Sequence, residues 1–303
     1  MKIHISLLSL LSENQNILRP VALTSLKRLQ DSGYELYTDT NSLSETISLL
    51  VKNEEIYLYQ GDSDQTAASI VLNTKSDSQE KLSLKLENSE GILATGQGWK
   101  ELCDHILFPA RRASLERNTH ETKIKASVLL DGKGNSAIKT GILFFDHMLD
   151  QIAKHGLIDL DLQVNGDLEV DEHHTIEDTA IVLGTVIRKA LTDNKAGIQR
   201  YGFALPMDEA QSIVAIDLSD RPYLRWEVEL KREYVGDFPT EMLEHFFYTL
   251  AMNVRATIHV KADGKNEHHV IESIFKGFAK AIRFAISRNE RMKGILPSTK
   301  GII

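Results

Sequence analysis

A single cysteine, Cys103, stands in 303 residues, so no internal disulfide framework can form. The chain suits a reducing compartment, and the location expected is cytoplasmic. No local signature surrounds that thiol, which reads as a buried small hydrophobe rather than a nucleophile. No apolar run approaches the ~20 residues that cross a bilayer. The opening "MKIHISLLSLLSENQ" has one lysine, a short apolar run broken by serine and no small-residue cleavage site, so it reads as strand or helix rather than a signal peptide. Positive charge is also in deficit, since 35 Lys and Arg against 43 Asp and Glu leave a net charge of -8. Sequence-independent nucleic-acid binding needs a basic surface, so neither nucleic acid nor membrane is expected as a partner, and small molecules are. With 42% hydrophobic and 26% charged residues the chain can bury a substantial core, and its length suggests two domains.

Histidine is nearly absent from the first part of the chain. Only His4 and His105, of eleven, precede residue 118. In that part, "PVALTSLKRLQDSGYELYT" has apolar residues at helical spacing through Leu29, a stop at Gly33 and then a short strand, one helix-to-strand unit of an α/β domain. "KLSLKLE" alternates briefly and reads as an exposed strand or hairpin arm.

The second part repeats itself. "FFDHMLDQIAKHG", "IDLDLQVNGD" and "HHTIEDTAIVLGTVIRKAL" line up with "MLEHFFYTLAMNV", "ATIHVKADGK" and "HHVIESIFKGFAKAIRFAI". Each half reads as helix, strand, turn, helix, with strand-like sequence ahead of it. The fold class expected is α+β: a duplicated half-domain, each sheet covered by its helices around a pseudo-two-fold axis, preceded by a small α/β domain. The boundaries expected are 1–112 and 113–303, with repeats of about 113–197 and 198–303.

The repeat carries one metal-ligand phrase twice, "DEHHTIED" at 171–178 and "NEHHVIES" at 266–273. On a helix, residues i and i+4 share a face while neighbours diverge by about a hundred degrees. His173 and Glu177 can therefore converge on one ion while His174 points elsewhere, and His268 and Glu272 repeat this against His269. Upstream stand His147 and His245. Six histidines and two glutamates, divided between two sites, supply three imidazoles and one carboxylate each and leave open positions on an octahedral ion. Such donors suit Mn, Fe or Zn better than Mg or Ca. An isolated histidine pair is usually solvated, but packing would tolerate Leu or Phe at these positions, and it does not explain the recurrence of the whole set. Arg200, Arg221 and the tail residues Ser298, Thr299 and Lys300 are each ordinary surface groups when taken alone; together they suggest an anion site.

The motifs "RNTHETKI", "FFDHMLDQIAKHGLIDL", "HHTIEDTAIVLG", "RYGFALPMDEA", "DLSDRPYL", "VGDFPTEMLEHFF", "NEHHVIESIFKGFAKAIR" and "PSTKG" resemble, in order and along nearly all of 115–303, the imidazoleglycerol-phosphate dehydratases. The resemblance implies two manganese ions per active site, a homo-oligomer of 24 subunits and sites completed between neighbours. It assigns metal ligation to His147, His173, His174, Glu177, His245, His268, His269 and Glu272. Substrate contacts fall on Glu121, Arg200, Arg221 and the Ser298–Lys300 tail, with Asp208 and Glu209 as weaker candidates. "KADGKNEHH" departs from the family's usual turn, as does Asp220 where small residues are common.

Dehydrating imidazole-glycerol phosphate to imidazole-acetol phosphate expels the hydroxyl beside the ring and takes a barely acidic proton from the next carbon. The ring must act as electron sink, which metal ions on its two nitrogens would favour. Of the catalytic carboxylates Glu121, Glu177 and Glu272, Glu121 is expected to accept the proton. Arg200, Arg221 and Lys300 would hold the phosphate.

The first domain is similar, in "RPVALTSLKRLQDSGYELYTDTNS" and "GILATGQGWKELCDHIL", to a histidinol-phosphate phosphatase of the haloacid-dehalogenase type. That chemistry needs an aspartate nucleophile after the first strand, and "IHISLLSLLSE" has none. Asp62 and Asp64 resemble late metal-binding acids but come too soon. A noncatalytic remnant is expected. Two other classes compete for the whole: a dinuclear metallohydrolase, which usually uses more carboxylates, and a metal-templated noncatalytic shell, which needs no phosphate clamp.

Overall fold

Three of the four residues of β1 (Lys2–Ile5) are buried, as in a strand covered on both faces. The computed structural model describes residues 1–12, 17–38, 43–61, 66–72, 83–191, 195–203, 206–288 and 290–301. Its contacts divide the chain into two units, Met1–Pro109 and Ala110–Ile303.

In the first unit β1 is followed by α1 (Leu7–Leu10), α2 (Ala22–Asp31), β2 (Glu35–Thr38), α3 (Glu45–Asn53), β3 (Leu58–Gln60), β4 (Ala68–Leu72), β5 (Leu84–Asn88), β6 (Gly91–Gly96) and α4 (Trp99–Leu107). The sheet order is β3-β2-β1-β4-β5-β6; the first four strands are parallel, and β5 and β6 form an antiparallel hairpin. Ile3, Ile5, Leu26, Leu29, Trp99, Leu102 and Cys103 fill its core. Leu84 and Leu86 on β5 point into that core, so the arm read as exposed is half-buried. Tertiary packing reaches one face of an alternating strand, which alternation alone does not reveal.

The second unit begins with β7 (Arg112–Asn118), β8 (Thr122–Leu129), β9 (Ser136–Lys139), α5 (Leu143–Gly156), β10 (Asp159–Gly166) and α6 (His173–Leu191). There follow β11 (Tyr201–Gly202), β12 (Pro206–Met207), β13 (Ala210–Asp217), β14 (Tyr223–Val228), β15 (Tyr234–Val235), β16 (Phe238–Pro239), α7 (Glu241–Val254), β17 (Thr257–Asp263) and α8 (Glu267–Ile286). One sheet has the order β7-β8-β10-β9 and another β11-β13-β17-β14, with β12 also on β13. In each, two antiparallel pairings are followed by a parallel one. The parallel pairs are joined through α5 and α7, since parallel neighbours need a long crossover.

Period-two burial decides which face the helices cover. Ile124, Ala126 and Val128 of β8 and Ala210, Val214 and Ile216 of β13 are buried. Helices α5 and α6 lie on the first sheet and α7 and α8 on the second, while α5 packs on α8 and α6 on α7. Each fully buried Leu, Ile or Phe in these layers contributes about 1.5–3 kcal/mol. Gly184 allows α6 its close approach to α7, because a Cβ there would stand 2.8 Å from Asn253 Cβ and 2.9 Å from Val254 N. The start of α5 is held from the other half: the Asp237 carboxylate accepts hydrogen bonds from Leu143 N (2.6 Å) and Phe144 N (2.8 Å), placing negative charge at the positive end of the helix.

Candidate functional site

Both histidine-bearing helices start in the same way. His173 N donates to Asp171 Oδ1 and His268 N to Asn266 Oδ1, each at 3.0 Å. These caps put the first histidine of each pair in the opening turn, so the glutamate one turn later lies directly behind it.

Two triads result. In one, Glu272 points Oε2 toward His268 Nε2 (3.4 Å) and Oε1 toward His147 Nε2 (3.9 Å). In the other, Glu177 points Oε2 toward His173 Nε2 (3.7 Å) and Oε1 toward His245 Nε2 (3.2 Å). Within each triad the potential ligand atoms lie within 4.8 Å of one another. Each upstream histidine meets the pair of the opposite half: His147 on α5 faces α8, and His245 on α7 faces α6.

The donor set fits a metal ion. His245 Nε2 is buried without a hydrogen-bond partner, beside a carboxylate oxygen not aligned to accept from it. Burial opposes the charge on Glu272, but a 2.8 Å contact with Lys276 Nζ and the nearby imidazoles outweigh it and hold the carboxyl below its ordinary pKa, ready as an anionic ligand. Phe144 packs edge-on against His268, its ring centroid 5.0 Å away.

His174 and His269 stand outside the triads. His174 Nδ1 meets both oxygens of Asp167 (3.2 and 3.1 Å), and its Nε2 lies 3.7 Å from Glu121 Oε1. His269 Nδ1 lies 2.8 Å from Glu209 Oε2. The hydrogen bond to Asp167, partly opposed by burial and aided by the charge of Glu121, raises the pKa of His174; Glu209 does the same for His269. Each carboxylate thus favours a proton on the Nδ1 nitrogen that it meets.

The basic candidates gather elsewhere. Arg200 donates through Nε to Asp217 Oδ1 (2.8 Å) and through Nη1 to Pro297 O (2.8 Å), which draws the tail against it. Arg221, more exposed, lies 3.6 Å from the same Asp217. Ser298 Oγ accepts from Lys300 N, and Thr299 and Lys300 are exposed. Arg200 N also donates to Ala285 O at the far end of α8, 17 residues beyond His268 or about 26 Å along the helix. Asp208 is in the left-handed conformation at the turn before β13. Asp62, Asp64 and the "DTNS" segment (39–42) lie outside the described residues.

Sequence reasoning missed three groups. Asp167 directly follows the "NG" that ends β10, and a carboxylate at a strand end ahead of a paired-histidine helix is the signal that could have found it. Lys276 stands four residues after Glu272, the spacing of a helical ion pair. Asp217, seventeen residues after Arg200, carries no such local signal.

A family model described as imidazoleglycerol-phosphate dehydratase matches residues 140–282. The solved imidazoleglycerol-phosphate dehydratase of Staphylococcus aureus is 36% identical, with a TM-score of 0.53, over 59% of this chain and 99% of that one. The chain belongs to the imidazoleglycerol-phosphate dehydratase family. The same family's structure from Pyrococcus furiosus, in complex with (S)-C348, is also 36% identical, with a TM-score of 0.54, over 62% of this chain and 100% of that one. Among curated relatives, the histidine biosynthesis bifunctional protein HisB of Spirosoma linguale is 54% identical over 212 residues, 70% of this chain and 55% of that protein. The bifunctional HisB of Campylobacter jejuni subsp. jejuni is 46% identical over 237 residues, 75% of this chain and 66% of that protein. The chain spans about half the length of the first of these relatives. Among the described residues, no helix is long and apolar enough to cross a membrane.

Proposed function

We propose that the chain catalyses metal-dependent dehydration of D-erythro-imidazole-glycerol phosphate to imidazole-acetol phosphate, a hydro-lyase reaction of histidine biosynthesis, in the cytoplasm. The observation that carries this reading is the pair of His-His-Glu triads in a chain of this family. Two manganese ions per active site, held by the triads with His174 and His269, would supply Lewis-acid stabilisation of negative charge on the substrate's imidazole ring. Glu177 and Glu272 would place carboxylate oxygens beside the ring site, and Glu121, exposed near His174 Nε2, is the base proposed for the carbon proton. Arg221, Lys300 and Ser298 bind the phosphate, with Arg200 ordering the tail that carries two of them.

The span of α8 bears on assembly. A substrate with three carbons between ring and phosphate is far shorter than about 26 Å, so it cannot reach His268 and the Arg200 end of one chain together. A phosphate clamp supplied by a neighbouring copy resolves this, in keeping with a homo-oligomer of 24 subunits. The two halves of the second unit, with the same strand order and pairing sense, are read as copies of one α+β half-domain, and residues 113–303 as the dehydratase domain.

Residues 1–112 are proposed to lack phosphatase activity. The end of β1, where an aspartate nucleophile would stand, is Ile5 and Ser6; Ile5 O accepts from Thr38 Oγ1, and the Ser6 side chain caps α1. The first aspartate of the chain is Asp31, at the end of α2.

The test is an assay of metal-stripped protein with imidazole-glycerol phosphate, with and without Mn, scoring ketone formation, and with histidinol phosphate, scoring phosphate release. Metal-dependent ketone without phosphate release supports both parts. Absence of ketone with any divalent metal overturns the dehydratase reading, and phosphate release overturns the inactive first domain.

A further inference from the structure

The two sheets of the second unit place equivalent residues in unequal roles. Thr122 pairs with Gly166 at the end of the β8/β10 ladder, and the β13/β17 ladder ends with Gln211 opposite Asp263, after which Gly264 lies against Ala210. Glu121 and Glu209 therefore occupy the same position, one residue before the long antiparallel strand, and Asp167 and Lys265 correspond in each directly following the glycine at the end of the partner strand. Gly166 and Gly264 are both crowded: a Cβ would collide with Thr175 in one and with Ala210 and Val270 in the other. Each glycine lets its strand end close on the first turn of the histidine-bearing helix.

What reaches Nδ1 of the second histidine then differs. In the second half the glutamate before the strand does so, Glu209 to His269 at 2.8 Å. In the first half the equivalent Glu121 faces the other nitrogen, Nε2 of His174, and Asp167 occupies Nδ1 with both oxygens. A longer connection permits this. Six residues (167–172) separate Gly166 from His173, against three (265–267) between Gly264 and His268. The longer segment turns back on itself, with Val170 N donating to Asp167 O, while Asp167 N donates to Glu121 O.

We propose that Asp167 and Glu209 are positioning residues that orient His174 and His269 for metal ligation, and that Asp167 relieves Glu121 of this duty. A carboxylate at Nδ1 holds the tautomer with the proton on that nitrogen, so the Nε2 lone pair is left as donor and the ring plane is locked. Because Asp167 fills that role in the first half, the Glu121 carboxylate stands on the Nε2 side, where the ligand and substrate would be. In the second half Lys265 cannot substitute, and Glu209 remains committed to His269. The two ends of the site are thus chemically unequal although their frames match: one keeps a carboxylate free for substrate and the other does not.

This inference rests on the metal reading above, and the experiment separates the two. Full-length, metal-stripped wild type, Asp167→Ala, Asp167→Asn and Glu209→Gln are titrated calorimetrically with Mn(II), and the melting temperature of each metal-free protein is recorded. Asp167→Ala is expected to weaken Mn binding about 10- to 100-fold, leave the metal-free melting temperature unchanged and make His174 the weak ligand. Asp167→Asn, whose Oδ1 still accepts, loses less. Glu209→Gln weakens binding as well, but its other oxygen receives Asn266 N, so Asp167 is the decisive position. Wild-type affinity in Asp167→Ala overturns the proposal, as does a loss that only follows a fall in metal-free melting temperature. Failure of the wild type to bind divalent metal would instead overturn the metal reading.

Discussion

His245 on α7 holds Nε2 3.2 Å from Glu177 Oε1 on α6, so a contact between the two halves of the second unit is also a pair of candidate metal ligands. Neither half holds a complete triad alone, and the packing of α6 on α7 sets the distance between donors.

Removal of either member therefore empties one site and spares the other. In His245→Ala and Glu177→Gln, bound Mn measured by elemental analysis of dialysed protein is expected to fall by about half, because His147, His268 and Glu272 remain intact. Dehydration should fall by more than the roughly 10- to 100-fold typical of losing a mere orienting partner. Full metal content in His245→Ala would show that the triad is not a site.

Arg200 and Arg221 should separate by phenotype. Arg200 is 12% exposed and paired to Asp217, so Arg200→Ala is expected to cost about 2–3 kcal/mol, below the ~3–5 of a fully buried pair. Arg221 is 61% exposed, and Arg221→Ala should leave stability within about 0.5 kcal/mol while raising KM for the phosphorylated substrate. Denaturant unfolding and steady-state kinetics on both variants check this. An unstable Arg221→Ala with unaltered KM would reverse the assignment.

At Gly184 two effects oppose. Alanine is favoured over glycine in a helix by about 1 kcal/mol, whereas its Cβ would meet Asn253 Cβ at 2.8 Å and the α7 backbone at 2.9 and 3.0 Å. Overpacking of this kind costs about 1–3 kcal/mol, and backbone cannot yield as a side-chain tip can. Gly184→Ala should thus be neutral to about 2 kcal/mol less stable, with weaker metal binding as α6 and α7 separate. A clear gain in denaturant midpoint would contradict the close approach.

Acid should expose the cluster at the start of the second unit. Asp131 accepts from Arg111 N, Nε and Nη2 and lies 3.1 Å from Arg288 Nη2, while Arg111 Nη1 donates to Ile286 O. Burial raises the Asp131 pKa, but the Arg111 bonds and charges outweigh it and the net shift is downward from 3.8. A lowered folded-state pKa means stability that is present above the unfolded value and lost as pH falls through the folded one. The melting-temperature gap between wild type and Asp131→Asn should therefore be constant near neutrality and close progressively below about pH 4. A gap that persists to pH 2 would show that charge is not what Asp131 contributes.

Helical spacing made the pairing of His173 with Glu177 and His268 with Glu272 legible, and strand alternation made β8, β10, β13 and β17 legible, because these patterns depend only on neighbours along the chain. The hairpin strand β5 was read as more exposed than it is, since which side of an alternating strand meets a core is a property of the sheet. Arg200 stood out as a cation in a loop, yet its guanidinium is already committed to Asp217 and Pro297, partners far away in sequence.

By itself the sequence determined the candidate ligand types, their repetition, the elements that carry them and the family. Those rest on residue identity and local period, which the chain states directly. Only the tertiary structure decided that His147 joins His268 and Glu272 while His245 joins His173 and Glu177. It also decided that Asp167 and Glu209, from inequivalent positions, reach the same nitrogen of their histidines. The physical reason is that helix packing between halves and turn length between a strand and its helix set distances in space, and no spacing along the chain encodes them.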